Sequence, residues 1–158
     1  MAIQISAQET VNALHAIFER HKKDRICVLG TTCCGKTTLL KQIPGCVDLD
    51  EELWPQLTGE EADFISRKPW TKEIGDFIDN LVYERISVKP GHPLFTTIIV
   101  DCEAVVYLDI NDALLAEHCR KRENSFTDAK KVKDAVEEDW NHHREKGGKT
   151  FYYLFVTE

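Results

Sequence analysis

The run Gly30-Thr31-Thr32-Cys33-Cys34-Gly35-Lys36-Thr37 sets two glycines, a lysine and a hydroxyl at the spacing GxxxxGK[ST]. A polyphosphate needs many hydrogen-bond donors at short range, and glycine lets the backbone curl until successive N–H groups point into one concave nest. Gly30 and Gly35 supply that freedom, with Thr31, Thr32, Cys33 and Cys34 between them. Lys36 is then a mobile point charge for the β- and γ-phosphates, Thr37 a hydroxyl ligand for Mg2+ and Thr38 a further phosphate contact. An incidental glycine-flanked turn needs no lysine, no threonine and no fixed spacing.

Acidic and basic residues elsewhere suggest further chemistry. Asp48 and Asp50 flank Leu49, and alternation along an extended strand puts both carboxylates on one side. With Glu51 and Glu52 they suit a solvated acidic helix start equally well. Asp101 closes the apolar run Ile98-Ile99-Val100, and Asp109 closes Val105-Val106-Tyr107-Leu108. Arg120, Lys121 and Arg122 form a basic cluster that Lys130, Lys131 and Lys133 extend; a solvated helix face explains these charges too. His92 and the pair His142-His143 have no second ligand set at zinc spacing and read as surface groups. Trp54, Trp70 and Trp140 either stack on a ligand ring or pack in the core or at a hinge.

The elements that position these residues follow from hydrophobic period. Ser6 and Glu9 form a capping-box pattern, and Val11, Leu14, Ile17 and Phe18 recur at helical spacing. Ile26-Cys27-Val28-Leu29 is a continuous apolar run of the kind buried on both faces of a parallel sheet. The phosphate loop leaves directly from it. Residues 36–43 are helix-compatible up to Pro44-Gly45, and Cys46-Val47-Asp48-Leu49 predicts a second strand. Residues 60–67 read as a short helix, followed by a longer one from a Thr71 cap through Ile74, Phe77, Ile78, Leu81, Val82 and Tyr83.

Residues 93–100 and 104–110 are the next apolar segments. If both are strands throughout, only Asp101-Cys102-Glu103 separates them, too little for a parallel crossover of about a dozen residues. Either they pair as a hairpin, or the first strand ends near Thr96 and residues 97–103 form an irregular link. The second is favoured; it moves Asp101 away from the phosphates and brings Thr96 or Thr97 to the cleft. A helix from Asn111-Asp112 to about residue 122 and another over 126–144, broken at Gly147-Gly148, lead to a last strand over 151–156. Closely spaced strand, helix and strand predict an α/β domain. No repeat or linker divides the 158 residues, so residues 1–158 read as one domain.

With the loop set between strand and helix, the chain resembles the small P-loop kinases, the group of adenylate kinase, shikimate kinase and related nucleoside and nucleotide kinases. The resemblance covers most of the chain as an order of elements, and the loop is its specific motif. It implies an α/β, three-layer P-loop NTPase fold, a parallel sheet of about five strands flanked by helices. It also implies a helical acceptor region near residues 51–89 and an arginine-bearing lid near 119–128. ATP and Mg2+ are the implied cofactors, and the implied reaction moves the γ-phosphoryl group to a nucleoside, nucleotide or other small hydroxyl metabolite. Asp48 and Asp50 resemble the DxD of shikimate-kinase-like enzymes, which makes Asp48 a water-mediated Mg2+ partner and Asp50 the group that orients or deprotonates the acceptor hydroxyl. Asp101 looks like a Walker B metal aspartate, with Asp109 a competitor for the role. Arg120 and Arg122 look like lid arginines, catalytic together with Lys36 and Asp50.

Three features depart from the family. Cys33 stands where the common form GxxGxGK[ST] has its middle glycine, and the basic cluster reads R-K-R rather than RxxxR. The chain stops two residues after the last predicted strand, where many relatives continue into a loop that holds adenine, so base selectivity is left open. The alternative function is a nucleotide-binding module that controls a partner without acceptor chemistry. A GTPase version lacks an NKxD-like motif and a suitably placed DxxG switch.

The net charge of −7 argues against an extended nucleic-acid surface. The sequence contains no run of about 18 apolar residues that could span a bilayer, and residues 1–6 lack the basic start and apolar stretch of a secretory signal. The expectation is a cytoplasmic protein whose partners are ATP and a small-molecule acceptor. Cys27, Cys33, Cys34, Cys46, Cys102 and Cys119 show no CxxC pairs and read as reduced thiols. Cys27, Cys46 and Cys102 are expected in the core, and the adjacent Cys33 and Cys34 are either oxidation-sensitive or merely tolerated.

Overall fold

A computed structural model describes residues 2–5, 7–31 and 36–156, with backbone alone for 2–5, 7–8 and 36–38. The predicted cap Ser6, the loop residues Thr32, Cys33, Cys34 and Gly35, and the side chains of Lys36, Thr37 and Thr38 therefore lie outside the described residues. Among the described residues six parallel strands form one sheet: β1 (Ala2–Ile5), β2 (Ile26–Leu29), β3 (Val47–Asp48), β4 (Leu94–Thr96), β5 (Ala104–Ile110) and β6 (Thr150–Val156), in the order β1-β6-β5-β2-β4-β3. β2 to β6 make up the parallel sheet expected from the sequence. β1 adds an unexpected edge, with Ala2 opposite Tyr153 and Ile5 opposite Val156. Its partner lies at the far end of the chain, so no local pattern announces the pairing.

Helices cover both faces. They are α1 (Ala7–Arg20), α2 (Lys36–Gln42), α3 (Leu49–Leu53), α4 (Gly59–Ile65), α5 (Lys72–Arg85), α6 (Asp112–Lys121) and α7 (Phe126–Lys146). Strand period sorts the core: Ile26, Val28, Val106 and Leu154 meet Leu14 and Ile17 of α1 and Leu39 of α2. Cys27, Leu29, Val105 and Tyr107 face the other way, onto Leu81 and Val82 of α5 and Val136 and Trp140 of α7. Complete burial of one Val or Leu contributes about 1.5–3 kcal/mol, so each face is a substantial store of stability.

Local chemistry fixes the helix ends near the cleft. Thr71 Oγ1 accepts the Ile74 N–H at 3.3 Å, the cap expected for α5. Thr58 and Glu61 form a capping box at the start of α4, with distances of 3.1 and 2.9 Å. Arg85 then grips Glu61 with two hydrogen bonds of 2.7 and 2.8 Å, tying α5 to α4. The guanidinium holds the Glu61 carboxyl down at about 2. Gly147, at φ 74°, ends α7 in a left-handed conformation that glycine tolerates without steric cost.

The crossover from β4 to β5 is not helical. Thr96 ends β4, and its hydroxyl both donates to Ile98 O at 2.8 Å and accepts the Ile98 N–H at 3.1 Å, turning the chain off the sheet. Residues 97–103 return beneath α5 and α7 with Ile98, Ile99 and Val100 buried. The chain re-enters the sheet where Glu103 N–H donates to Arg25 O at 3.0 Å, next to the start of β2. This is the second of the two arrangements open from the sequence. No helix among the described residues is long and apolar enough to cross a membrane.

Candidate functional site

In an open parallel sheet, ligands collect at the carboxyl ends of the strands where successive connections run in opposite directions. Here β2 leads through α2 to β3 on one side, while its neighbour β5 leads through α6 and α7 to β6 on the other. Gly30, immediately after β2, donates its N–H to Thr96 O at 3.0 Å. Thr31 is buried and its hydroxyl donates to Ala129 O of α7 at 3.1 Å, which fastens the start of the loop and commits that side chain to structure. Lys36 is the first residue of α2. The described flanks of the GxxxxGK[ST] run are therefore a strand end and a helix start.

Beside this end opens a cleft of about 880 Å³, bordered by Asp48, Asp50, Trp54, Trp70, Thr97 and Arg122. Asp48 caps α3, its Oδ1 accepting the Asp50 N–H at 3.2 Å. The expectation that Asp48 and Asp50 share one side of a strand does not hold, because α3 begins at Leu49 and Asp50 lies in its first turn. Both carboxylates still reach the cleft by this different geometry. Thr97 lines it, whereas Thr96 is fully buried.

The structure does not bring Asp101 to this end. It lies at the opposite, amino-terminal end of the strands, paired with Arg25 Nη1 at 2.8 Å, while the same guanidinium also grips Glu103. The cause is the return of residues 97–103 toward the start of β2. Asp109 is near the carboxyl end of β5, but its carboxylate accepts hydrogen bonds from the hydroxyls of Tyr107 and Tyr153 and from the Ile110 N–H. Those contacts make it part of an aromatic cluster with Trp140.

Residues 119–128 comprise the last turn of α6, a tight turn with Glu123 at φ 56°, and the start of α7 capped by Ser125. Of the two expected lid arginines, Arg122 borders the cleft and Arg120 does not. Lys130 and Lys133 are not free to extend a basic patch: both pair with Asp112, at 3.4 and 2.8 Å, and clamp α7 to α6. Lys131 donates to Trp70 O at 3.2 Å. Trp140 is core, whereas Trp54 and Trp70 line the cleft. Cys27 and Cys102 are buried as expected; Cys46 is only half-buried, and its burial pushes the thiol up to about 11.

The inner wall was not foreseen. Asp79 of α5 and Asp139 of α7 face the cleft over the floor made by Thr97 and Ile98. Burial, then the neighbouring Asp139 carboxylate, pushes Asp79 up to about 6. Asp139 is raised by burial against the opposing pull of the Ile99 N–H, which donates to its Oδ2 at 2.7 Å. Burial and these two carboxylates push the Tyr83 hydroxyl up to about 12. The sequence does carry a faint signal. Asp79 stands three residues before the buried Val82, and Asp139 three after the buried Val136, so each lies at the margin of a helix's apolar stripe.

No protein-family model matches the chain, and no curated protein matches it in sequence.

Proposed function

We propose that this chain is a small P-loop kinase that binds ATP and Mg2+ through residues 30–37 and phosphorylates a hydroxyl of a small molecule held in the adjoining cleft. One observation carries the reading: a GxxxxGK[ST] run leaves β2 and enters α2 at the carboxyl edge of a parallel sheet, beside a cleft bordered by Asp48, Asp50 and Arg122.

The donor set fits the ligand. The glycine-flanked sequence offers main-chain amides, Lys36 an ammonium and Thr37 a hydroxyl, the combination that polyphosphate and magnesium require. Asp48 uses one oxygen for the Asp50 N–H and keeps acceptor capacity for a water of the metal. Bound ATP supplies the transferable γ-phosphoryl group. Asp50 orients the acceptor hydroxyl and receives its proton, and Arg122 offsets negative charge at the mouth of the cleft. Phosphoryl transfer depends chiefly on such positioning and charge neutralisation.

Calorimetry with MgATP tests the binding half: Lys36→Ala is expected to weaken uptake about tenfold or more, as loss of a charge-assisted contact does. Release of ADP in the presence of nucleosides, nucleoside monophosphates and polyols tests the transfer half. Uptake of MgATP with release that never exceeds the acceptor-free background would point instead to a nucleotide-binding module. Absence of any MgATP or MgGTP uptake by folded protein would remove the reading altogether.

A further inference from the structure

The charges of the cleft speak to what the acceptor is. Its border carries six carboxylates, Asp48, Asp50, Asp79, Glu138, Asp139 and Glu145, against the cations Lys68, Lys72 and Arg122 and the imidazole of His142. Lys72 Nζ is 3.3 Å from Asp76, and its charge also acts on Asp79 and Asp139, so one cation is shared among three carboxylates. Asp139 has the Ile99 N–H and His143 as neighbours, at 2.7 and 3.5 Å. Asp79 makes no hydrogen bond or ion pair with the described residues, although it is half-buried. A phosphomonoester or carboxylate drawn into this space meets like charge along the α7 wall, which disfavours it.

Shape and aromatic content point the same way. Because residues 97–103 cross as an irregular, non-helical link, the space between α5 and α7 stays open above Thr97 and Ile98 and continues outward to Asp50. Trp54 and Tyr83 border this space with 44 % and 54 % of their surfaces exposed, and Trp70 lies alongside. Exposed aromatic faces beside carboxylates form a favourable environment for an ammonium group, attracted by the ring quadrupoles and by the negative charge together.

We propose that the acceptor is a cationic, hydroxyl-bearing amine of the amino-sugar or amino-alcohol class, with its ammonium groups held between α5 and α7 by Asp79 and Asp139. The proposal rests on the reading of the cleft as the acceptor side of a kinase. It adds the sign of the acceptor's charge and the residues that select it. A hydroxyl of the amine then lies toward Asp50 while its nitrogens lie along the inner wall.

The test is a titration of the full chain, saturated with a non-hydrolysable MgATP analogue and followed by tryptophan fluorescence and calorimetry. The probes are neamine as the polycationic amino sugar, adenosine and sucrose as neutral compounds, and AMP as the anion. Neamine is expected to bind about tenfold or more tightly than the others, an advantage that falls as salt rises. The double variant Asp79→Asn/Asp139→Asn is expected to lose that advantage, about tenfold, while its affinity for the ATP analogue is unchanged. Asparagine keeps an acceptor for the Ile99 N–H, and circular dichroism verifies the fold. Tighter binding of AMP, adenosine or sucrose, no uptake of neamine, or uptake indifferent to the double variant overturns the proposal. Failure to bind the ATP analogue at all is a separate outcome, and it sinks the kinase reading beneath it.

Discussion

The indole of Trp70 lies on Gly75: a methyl group built at Gly75 would stand 2.4 Å from Trp70 Cζ2 and 2.9 Å from Cη2. Both residues border the cleft, so the bare surface of α5 at this point is a seat for the ring. Glycine inside a helix costs about 0.5–1 kcal/mol relative to alanine, a cost that here accompanies close packing against the indole. Gly75→Ala is expected to displace the ring toward the cleft without unfolding the helix. Trp70 emission should shift and ligand uptake in the cleft weaken, while Tm stays level or rises. A fall in Tm with unchanged emission would mean that the helix, not the ring, has yielded.

Asp48 and Asp101 offer a paired test of which carboxylate serves the metal. The Asp101 side chain is 85 % exposed beside Arg25 at the amino-terminal end of the strands, and removing an exposed partner of this kind changes stability by about 0–1 kcal/mol. Asp101→Asn should therefore leave MgATP affinity unaltered, within about twofold. Asp48→Asn should weaken the Mg2+ dependence of ATP binding, read by calorimetry at varied Mg2+. Equal effects of the two substitutions would remove Asp48 from its assigned role.

Much of the layout was legible because local signals and tertiary burial agree. Ile26-Cys27-Val28-Leu29 is apolar on both faces and became the central β2; the Thr71 cap and the Gly147 break mark real helix ends. The link over 97–103 was legible in part: three residues cannot carry a chain back along a parallel sheet, which left a hairpin or an irregular link, and the structure has the link. What stayed hidden depends on distant partners. β1 needs β6, at the other end of the chain, to become a strand. Asp79 and Asp139 form one wall only because α5 and α7 flank the same link, and neither helix reveals the other. The basic cluster misled for a related reason: Lys130 and Lys133 look available in sequence, yet Asp112 holds both.

Stability should carry a signature of Asp79. Its carboxyl is pushed up to about 6 from an ordinary value of 3.8, so between these pH values the folded chain keeps a proton that the unfolded chain has released. Stability from this group therefore falls as pH rises through the window and is lowest above about pH 6. Asp79→Asn removes the charge and should stabilise the protein at pH 7 by about 1 kcal/mol, once screening of a partly exposed group is allowed for. At pH 3.5, where Asp79 is largely protonated in both states, variant and parent should melt nearly together. Thermal denaturation across pH 3.5 to 7 checks this; a variant that melts below the parent at pH 7 contradicts it.

The bond from Ile99 N–H to Asp139 Oδ2, 2.7 Å long, joins α7 to the buried link beneath it. Ile99 is fully buried, and a main-chain donor left without an acceptor there cannot turn to water. Asp139→Ala should thus lower stability by about 1–3 kcal/mol, the cost of an unsatisfied buried group. Asp139→Asn keeps an oxygen in place and removes a charge whose own burial is unfavourable, so its cost should be under about 1 kcal/mol. Denaturant melts of the two variants separate these contributions, and hydrogen exchange at Ile99 reports the bond directly. Exchange should accelerate in the alanine variant and remain slow in the asparagine variant. Equal losses in both would show that the carboxylate charge, interacting with His143 at 3.5 Å, outweighs the hydrogen bond to the link.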